Sequence, residues 1–135
     1  MLPIFRNKPT SIMIDRQARI KREGSPIFVW QVPATAAAAT SVIHVPSQFP
    51  ASRKYEPLDA LEIVNNETVN DLTLTINGTE TRYIPAGTIR QIHGQGIALW
   101  HIAVTNNGAV ITTLNKITIT LQREPLTVDK WVQGR

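Results

Sequence analysis

Two segments of this sequence alternate strictly between apolar residues and threonine. Asp71–Asn77 reads DLTLTIN, and Lys116–Gln122 reads KITITLQ. A period of two places every second side chain on the same face of a β-strand, so each segment has an apolar face and a threonine face. Threonine is β-branched and still hydrogen-bonds to water, which suits the outer face of a half-buried antiparallel sheet. Both segments therefore predict strands with one face in a core and the other in solvent.

The rest of the chain reads as short strands separated by frequent turns. Asn77-Gly78 is the strongest hairpin signal, because a type I′ turn needs positive φ at both central residues. Pro85–Gly87 suits another tight turn. With no long helical period between them, these segments predict an all-β fold, an antiparallel β-sandwich that is jelly-roll-like or barrel-like. The predicted strands are 27–32, 41–45, 59–65, 70–77, 80–84, 88–93, 97–105, 109–113 and 116–123.

The 135 residues are enough for one domain with its own core. We predict a β-sandwich over residues 25–123, with a compact core at 58–123 and a proline-rich loop at 46–57. Residues 1–24 and 124–135 read as an N-terminal arm and a short C-terminal arm. The chain has no cysteine, which excludes disulfides and thiol chemistry and favours a reducing compartment. Its start has no pattern of a secretory signal, and no apolar run is long enough to cross a bilayer.

The net charge of +4 lies entirely in the N-terminal arm. Residues 1–24 hold six basic and two acidic residues (6 − 2 = +4), whereas residues 25–135 hold eight of each sign. A basic arm suits an acidic protein surface, nucleic acid or an anionic membrane, and a solvated tail is the alternative. Ser11–Glu23 has the N-cap and stop signals of a short helix, but only a thin apolar stripe. We expect this arm to become ordered against a partner.

Six residues are the candidate partner contacts. The arm supplies four cations as charge partners, and two tryptophans are candidate anchors, the first of which also suits a core position. A tryptophan close to a polar C-terminal end is expected to pack on its own body or on a neighbouring subunit. The candidates are Arg16, Arg19, Lys21, Arg22, Trp30 and Trp131.

The sequence has no recognisable catalytic, metal or cofactor motif. His93 and His101 fall on consecutive predicted strands and would face each other there, but no third ligand has a supporting spacing, so packed histidines are the favoured interpretation. The polar run Asn65–Asp71 offers oxygen ligands for calcium but lacks EF-hand spacing, which favours a polar hairpin loop. No serine nucleophile motif is present. We therefore expect a protein that is not an enzyme and that carries no cofactor.

Three runs carry a resemblance to a known family: Leu61–Asn66 (LEIVNN), Leu72–Gly78 (LTLTING) and Tyr83–Thr88 (YIPAGT). Their progression of strands and turns resembles the small β-sandwich accessory proteins of tailed-phage virions, over about residues 59–122. The resemblance implies a head decoration (cement) protein, or an accessory subunit at the tail or baseplate. Such proteins often form trimers or larger symmetric sets, and no catalytic residue comes with the resemblance.

The expected function is therefore a virion structural protein that assembles through β-sandwich contacts and arm exchange. Its expected partners are major capsid or tail proteins and copies of itself, with a trimer favoured, in virions assembled in the host cytoplasm. One alternative is a module that binds a host surface glycan through Tyr83, Trp100 and His101. Another is nucleic-acid binding by the arm, which is not favoured and would weaken steeply with salt. No membrane partner is expected.

Overall fold

The computed structural model of the chain describes residues 18–20, 22–93 and 96–125. Within these residues, eight strands form two four-stranded antiparallel sheets, which confirms the predicted antiparallel β-sandwich. The strands are β1 (Phe28–Gln31), β2 (Thr40–His44), β3 (Ala60–Asn65), β4 (Leu72–Ile76), β5 (Glu80–Ile84), β6 (Thr88–Ile92), β7 (His101–Asn106) and β8 (Ile117–Gln122).

The first sheet has the order β1-β8-β3-β6, and the second has the order β2-β7-β4-β5. Each of the first four strands therefore pairs with one of the last four: β1 with β8, β2 with β7, β3 with β6 and β4 with β5. The chain changes sheet at every connection except β4–β5. The β1–β2, β3–β4, β5–β6 and β7–β8 connections lie at one end of the sandwich. The β2–β3, β4–β5 and β6–β7 connections lie at the opposite end.

The two threonine-alternating segments are strands with one buried face, as predicted, and each is a central strand of its sheet. In β8, Ile117, Ile119 and Leu121 are buried while Thr118 and Thr120 lie on the outer face of the first sheet. The same alternation holds in β4, where the leucine and isoleucine side chains are buried and the threonines point outward. Both strands have a neighbour on each side, so their backbone groups are paired throughout.

The core lies between the two sheets and is almost wholly aliphatic. Its apolar side chains face each other because the alternation puts them on the inner face of every strand. The largest fully buried side chains are Leu58, Ile63, Leu72, Leu74, Ile76, Ile84, Leu99, Ile102, Ile117, Ile119 and Leu121.

The Asn77-Gly78 hairpin is present, and both residues have the positive φ that the sequence predicted, 56° and 75°. Asn77 has a second role that the sequence did not indicate. Its side-chain Oδ1 accepts the backbone N–H groups of Trp100 (3.0 Å) and His101 (3.1 Å). The hairpin thereby also holds the start of β7.

The strand predicted at 109–113 is wrong, because the whole β7–β8 connection, residues 107–116, is a loop. Side chains rather than a strand ladder satisfy its backbone: the Asn106 amide donates to the Val110 carbonyl at 2.7 Å. The strand predicted at 97–105 begins later, at His101, because the preceding residues cross between the sheets. There, the Leu99 N–H donates to the Leu58 carbonyl at 2.8 Å.

The connection predicted as a proline-rich loop at 46–57 contains two short helical segments, a four-residue helix at Val45–Gln48 and a 3-10 helix at Pro50–Lys54. Proline is accepted in the first turn of a helix because its missing N–H has no partner there. Residues 18–20 and 22–23 are helical, and Gly24, with φ of 78°, donates its N–H to the Ile20 carbonyl. No helix in the described part of the chain has the length and apolarity to span a membrane.

Candidate functional site

The structure describes three of the six predicted partner contacts. Arg19 and Arg22 are exposed, and Ile20 between them is buried. Trp30 is only 6% exposed and belongs to the core cluster. Of the two roles that the sequence left open for Trp30, the described structure shows the core role. Arg16, Lys21 and Trp131 lie outside the described residues.

His93 and His101 do not face each other, so the facing arrangement that their predicted strands allowed is wrong. His93 follows β6 in the first sheet, and its Nδ1 lies 3.2 Å from Glu124 Oε1. His101 begins β7 in the second sheet, where its register partner is His44. Among the described residues, no three His, Cys, Asp or Glu side chains are grouped as a metal ion would require.

The oxygen-rich run Asn65–Asp71 is a polar loop, as the favoured interpretation predicted, but it joins strands of different sheets and is not a hairpin. Asn65 Oδ1 accepts the Glu67 N–H at 3.1 Å, and Glu67 Oε1 accepts the Thr113 N–H. The Asp71 carboxylate accepts the Tyr83 hydroxyl (2.6 Å) and the Ala86 N–H (2.8 Å). These oxygens already serve as acceptors within the protein, so the loop does not offer the oxygen cage of a calcium site.

The most unusual surface lies at the end of the sandwich that contains the β1–β2, β3–β4, β5–β6 and β7–β8 connections. We call this surface the apolar end and define it by four connections, residues 33–39, 66–71, 85–87 and 107–116. Backbone hydrogen bonds join three of them: Asn107 N–H donates to the Asp71 carbonyl at 2.9 Å, and Thr112 N–H donates to the Thr35 carbonyl at 3.0 Å. The fourth connection is joined through the Asp71 carboxylate, which accepts the Ala86 N–H at 2.8 Å. The four connections therefore form one surface.

Polar side chains lie buried beneath this surface. The Thr35 N–H donates to Thr112 Oγ1 at 2.7 Å, and the Asn106 side-chain amide donates to the Thr35 carbonyl at 3.0 Å. The Asn65 side-chain amide donates to the Asn70 carbonyl at 3.0 Å. Six of the seven buried polar residues in the described part of the chain lie here: Thr35, Asn65, Glu67, Asn70, Asn106 and Thr112.

Apolar side chains cover the outside of the same loops. Val69, at 67%, is the most exposed large hydrophobic residue among those described. Val110, Ile111 and Leu114 are 52%, 60% and 58% exposed on the neighbouring loop. Alanines occupy most of the β1–β2 connection beside them. The usual distribution is inverted, with polar groups inside and apolar groups outside, and a grouped apolar surface of this kind marks an interaction site.

The two ends of the sandwich also differ in charge. The four connections of the apolar end contain three charged residues, of which Glu67 is buried and Asp71 is hydrogen-bonded, leaving Lys116 exposed. The opposite end is rich in charge of both signs. Its described charged residues are Arg19, Arg22, Glu23, Arg53, Lys54, Glu56, Asp59, Arg123 and Glu124.

Asp71 and Tyr83 form the clearest electrostatic pair at the edge of the apolar end. The Tyr83 hydroxyl and the Ala86 N–H stabilise the carboxylate and hold the pKa of Asp71 below its ordinary value. The same hydrogen bond to Asp71 favours the protonated phenol and raises the pKa of Tyr83. The two residues are therefore joined most strongly when Asp71 is ionised and Tyr83 is protonated.

The three residues considered for glycan binding are not brought together. Tyr83 is the register partner of Thr73, which pairs with Thr105 at the far end of β7 from His101. Four residues of strand separate Thr105 from His101, about 13 Å. Trp100 precedes His101 and lies near the opposite end of the sandwich from Tyr83. No shared platform of these three side chains exists.

A shallow cleft on the outer face of the first sheet is a separate candidate. It measures about 350 Å³ and includes the Glu62 carboxylate, which accepts the Gln91 amide at 2.7 Å. Its lining is rich in hydrogen-bonding side chains and includes an exposed aliphatic residue, Ile27. The polar members are Glu62, Gln91, His93, Thr120, Gln122 and Glu124.

No protein-family model matches this sequence, and no curated protein matches it. The functional interpretation therefore depends on the surfaces themselves. Sequence reasoning missed the apolar end because Ala109–Thr113 has the composition of a buried strand. The available signal was the flanking punctuation, Asn106-Asn107-Gly108 before the run and Asn115 after it.

Proposed function

We propose that this chain is a non-enzymatic structural subunit of a phage-like virion that decorates or stabilises the capsid, assembled in the host cytoplasm. The observation that carries this proposal is the apolar end, a preformed apolar surface on a domain whose body is neutral. A subunit that holds a particle together needs such contact surfaces and no reaction chemistry. A tail or baseplate accessory role uses the same surfaces and is the variant of this proposal that we favour less.

The strand pairing supports this proposal. A chain in which β1 pairs with β8, β2 with β7, β3 with β6 and β4 with β5 is a long hairpin folded over into two sheets. We interpret this arrangement as a jelly roll, an architecture that serves viral capsid and lectin domains. The architecture by itself does not define a function. It is consistent with the virion role that the sequence resemblance implies.

The basic arm supplies the second proposed attachment. Arg19 and Arg22 are exposed at the charged end of the sandwich, opposite the apolar end. In the proposed assembly, the apolar end contacts protein neighbours and the arm, residues 1–24, contacts an acidic surface of a capsid or tail protein. Attachment through the arm would weaken with salt, whereas contacts through the apolar end would not.

The test is to follow the chain through a density gradient of particles purified from the source that encodes it. The proposal expects the chain to sediment with intact particles in a fixed copy number, and to be released as particles dissociate. Finding the chain only in the soluble fractions, with particles fully formed without it, would contradict the virion role.

The cleft on the first sheet favours one second candidate, a module that binds a host glycan. Its carboxylate, amide and hydroxyl groups are the types that bind sugar hydroxyls, and Ile27 offers an apolar flank. A glycan array with the wild-type protein and with Gln91→Ala tests this candidate, since binding through the cleft would be lost in the variant. The Gln122→Ala variant probes the same cleft from β8.

A further inference from the structure

We infer that the apolar end of the sandwich packs against the apolar end of a second copy of this chain. This inference rests on the proposed function, and it identifies the partner of the apolar end as the chain itself. The contact would be centred on Val69, Val110, Ile111 and Leu114.

The charge distribution favours a second copy as the partner. A symmetric contact places identical residues near each other, so a charged surface that meets itself brings like charges together. At the apolar end, Glu67 is buried under Thr113 and Asp71 is occupied by Tyr83 and Ala86. Lys116 is the one exposed charged residue of the four connections, so a contact between two such ends brings few like charges together. The opposite end, with nine described charged residues, has no such property.

The ordered loops also favour a protein contact. The buried hydrogen bonds of Thr35, Asn106 and Glu67 hold the loops in place before any partner binds. Binding then loses little conformational entropy, which strengthens an interface of a given area.

The composition of the loops is unsuited to a lipid surface. Peripheral membrane contacts use tryptophan or tyrosine at the interface and clusters of lysine and arginine toward anionic lipid. The four connections contain no aromatic residue and a single basic one, Lys116. A protein surface of the same apolar character is the better match.

Cysteine cross-linking locates the contact directly, because the native chain has no cysteine. Ile111→Cys places one thiol at the apolar end, and Lys54→Cys places one at the exposed 3-10 helix of the opposite end. We expect a bis-maleimide reagent to give covalent dimers of the Ile111→Cys variant at concentrations where the Lys54→Cys variant remains uncross-linked. Equal cross-linking of both variants, or of Lys54→Cys alone, would overturn the inference.

A charge substitution tests whether the contact drives assembly. Ile111→Asp is compared with Ile89→Asp, a matched control because Ile89 is also an isoleucine and is 57% exposed on β6. By sedimentation equilibrium we expect Ile111→Asp to weaken self-association by about tenfold or more, and Ile89→Asp to leave it unchanged. Thermal unfolding of both variants controls for loss of fold.

The remaining outcomes separate this inference from the proposed function. A wild-type protein that stays monomeric at high concentration, or that floats with phosphatidylcholine vesicles through Ile111, overturns the inference. If Ile111→Asp disrupts self-association and the chain is absent from particles, the inference stands and the virion role fails. If the chain is in particles and Ile111→Asp assembles normally, the virion role stands and the inference fails.

Discussion

The carboxylate of Glu67 accepts a hydrogen bond from the backbone N–H of Thr113, which lies 46 residues further along the chain. This contact joins the β3–β4 connection to the β7–β8 connection at the apolar end. Glu67 is buried, and its carboxylate supplies the acceptor for this N–H group where water is excluded from the Glu67 side chain. The residues on either side of the contact, Val69 and Leu114, are directed outward.

Glu67→Ala is expected to destabilise the protein by about 1–3 kcal/mol, because the Thr113 N–H loses its carboxylate acceptor. Glu67→Gln keeps an oxygen at the same place and should lose less, since only the charge is removed. Glu62→Ala is the control, as Glu62 bonds an exposed Gln91 on the sheet surface. Urea unfolding measures all three. Equal losses for the alanine and glutamine variants would contradict the acceptor role.

Gly108→Ala is expected to destabilise the protein by about 1–3 kcal/mol through overpacking. A Cβ at this position would overlap the side chain of Asn70, whose Oδ1 is buried against it. Combining the substitution with Asn70→Ala removes the obstacle, so the pair should cost less than the sum of the two single changes. Gly78→Ala is a control for backbone strain, because nothing lies near its Cβ position and its φ is positive. Simple additivity would rule out a direct clash.

Trp30→Ala is expected to cost about 3–5 kcal/mol of stability, because the side chain fills the core between the sheets. Any loss of assembly in this variant would then follow from its unfolding. Trp100→Ala serves for comparison, since Trp100 is partly exposed, and it should cost clearly less. Thermal unfolding distinguishes the two. A stable Trp30→Ala variant that fails to assemble would instead support a role for Trp30 in contacting a partner.

The stability of the protein should decline at both extremes of pH through Asp71 and Tyr83. The folded-state pKa of Asp71 is lowered, so its contribution is present above its ordinary pKa of 3.8 and is lost as the pH falls through the folded value. The folded-state pKa of Tyr83 is raised, so its contribution is present below 10.0 and is lost as the pH rises through the folded value. The Tyr83→Phe variant lacks this hydrogen bond, so its stability should change less with pH at both the acidic and the alkaline extreme. Identical pH profiles for the variant and the wild type would exclude this pair as their source.

Deleting the N-terminal arm should have two different effects according to where the chain is cut. Removing residues 1–17 keeps the buried Ile20 and should therefore cost less stability than a deletion that includes it. Removing residues 1–24 also removes the buried Ile20 and should cost about 1–3 kcal/mol while leaving the sandwich folded. In the proposed assembly, the longer deletion abolishes attachment to the particle. Circular dichroism and particle co-sedimentation measure the two effects separately.

The sequence by itself determined the sandwich and most of its strands. Alternation at Leu72–Ile76 and Ile117–Gln122 is a local property that survives in any sheet, because a strand always separates odd from even side chains. Asn77-Gly78 was equally local, since positive φ is a property of the residues in the turn. The buried position of Trp30 fits the same pattern, although the sequence left an interface role open.

Only the tertiary structure decided what happens at the ends of the strands. Ala109–Thr113 has a strand-like composition, yet its backbone is satisfied by the Asn106 side chain, the Glu67 carboxylate and the Thr35 carbonyl, groups that other parts of the chain supply. His93 and His101 are neighbours along the chain but lie in different sheets. Pairing between strands far apart in sequence has no local signature, so the loops that meet at the apolar end, and the surface that they form, exist only once the two sheets have closed on each other.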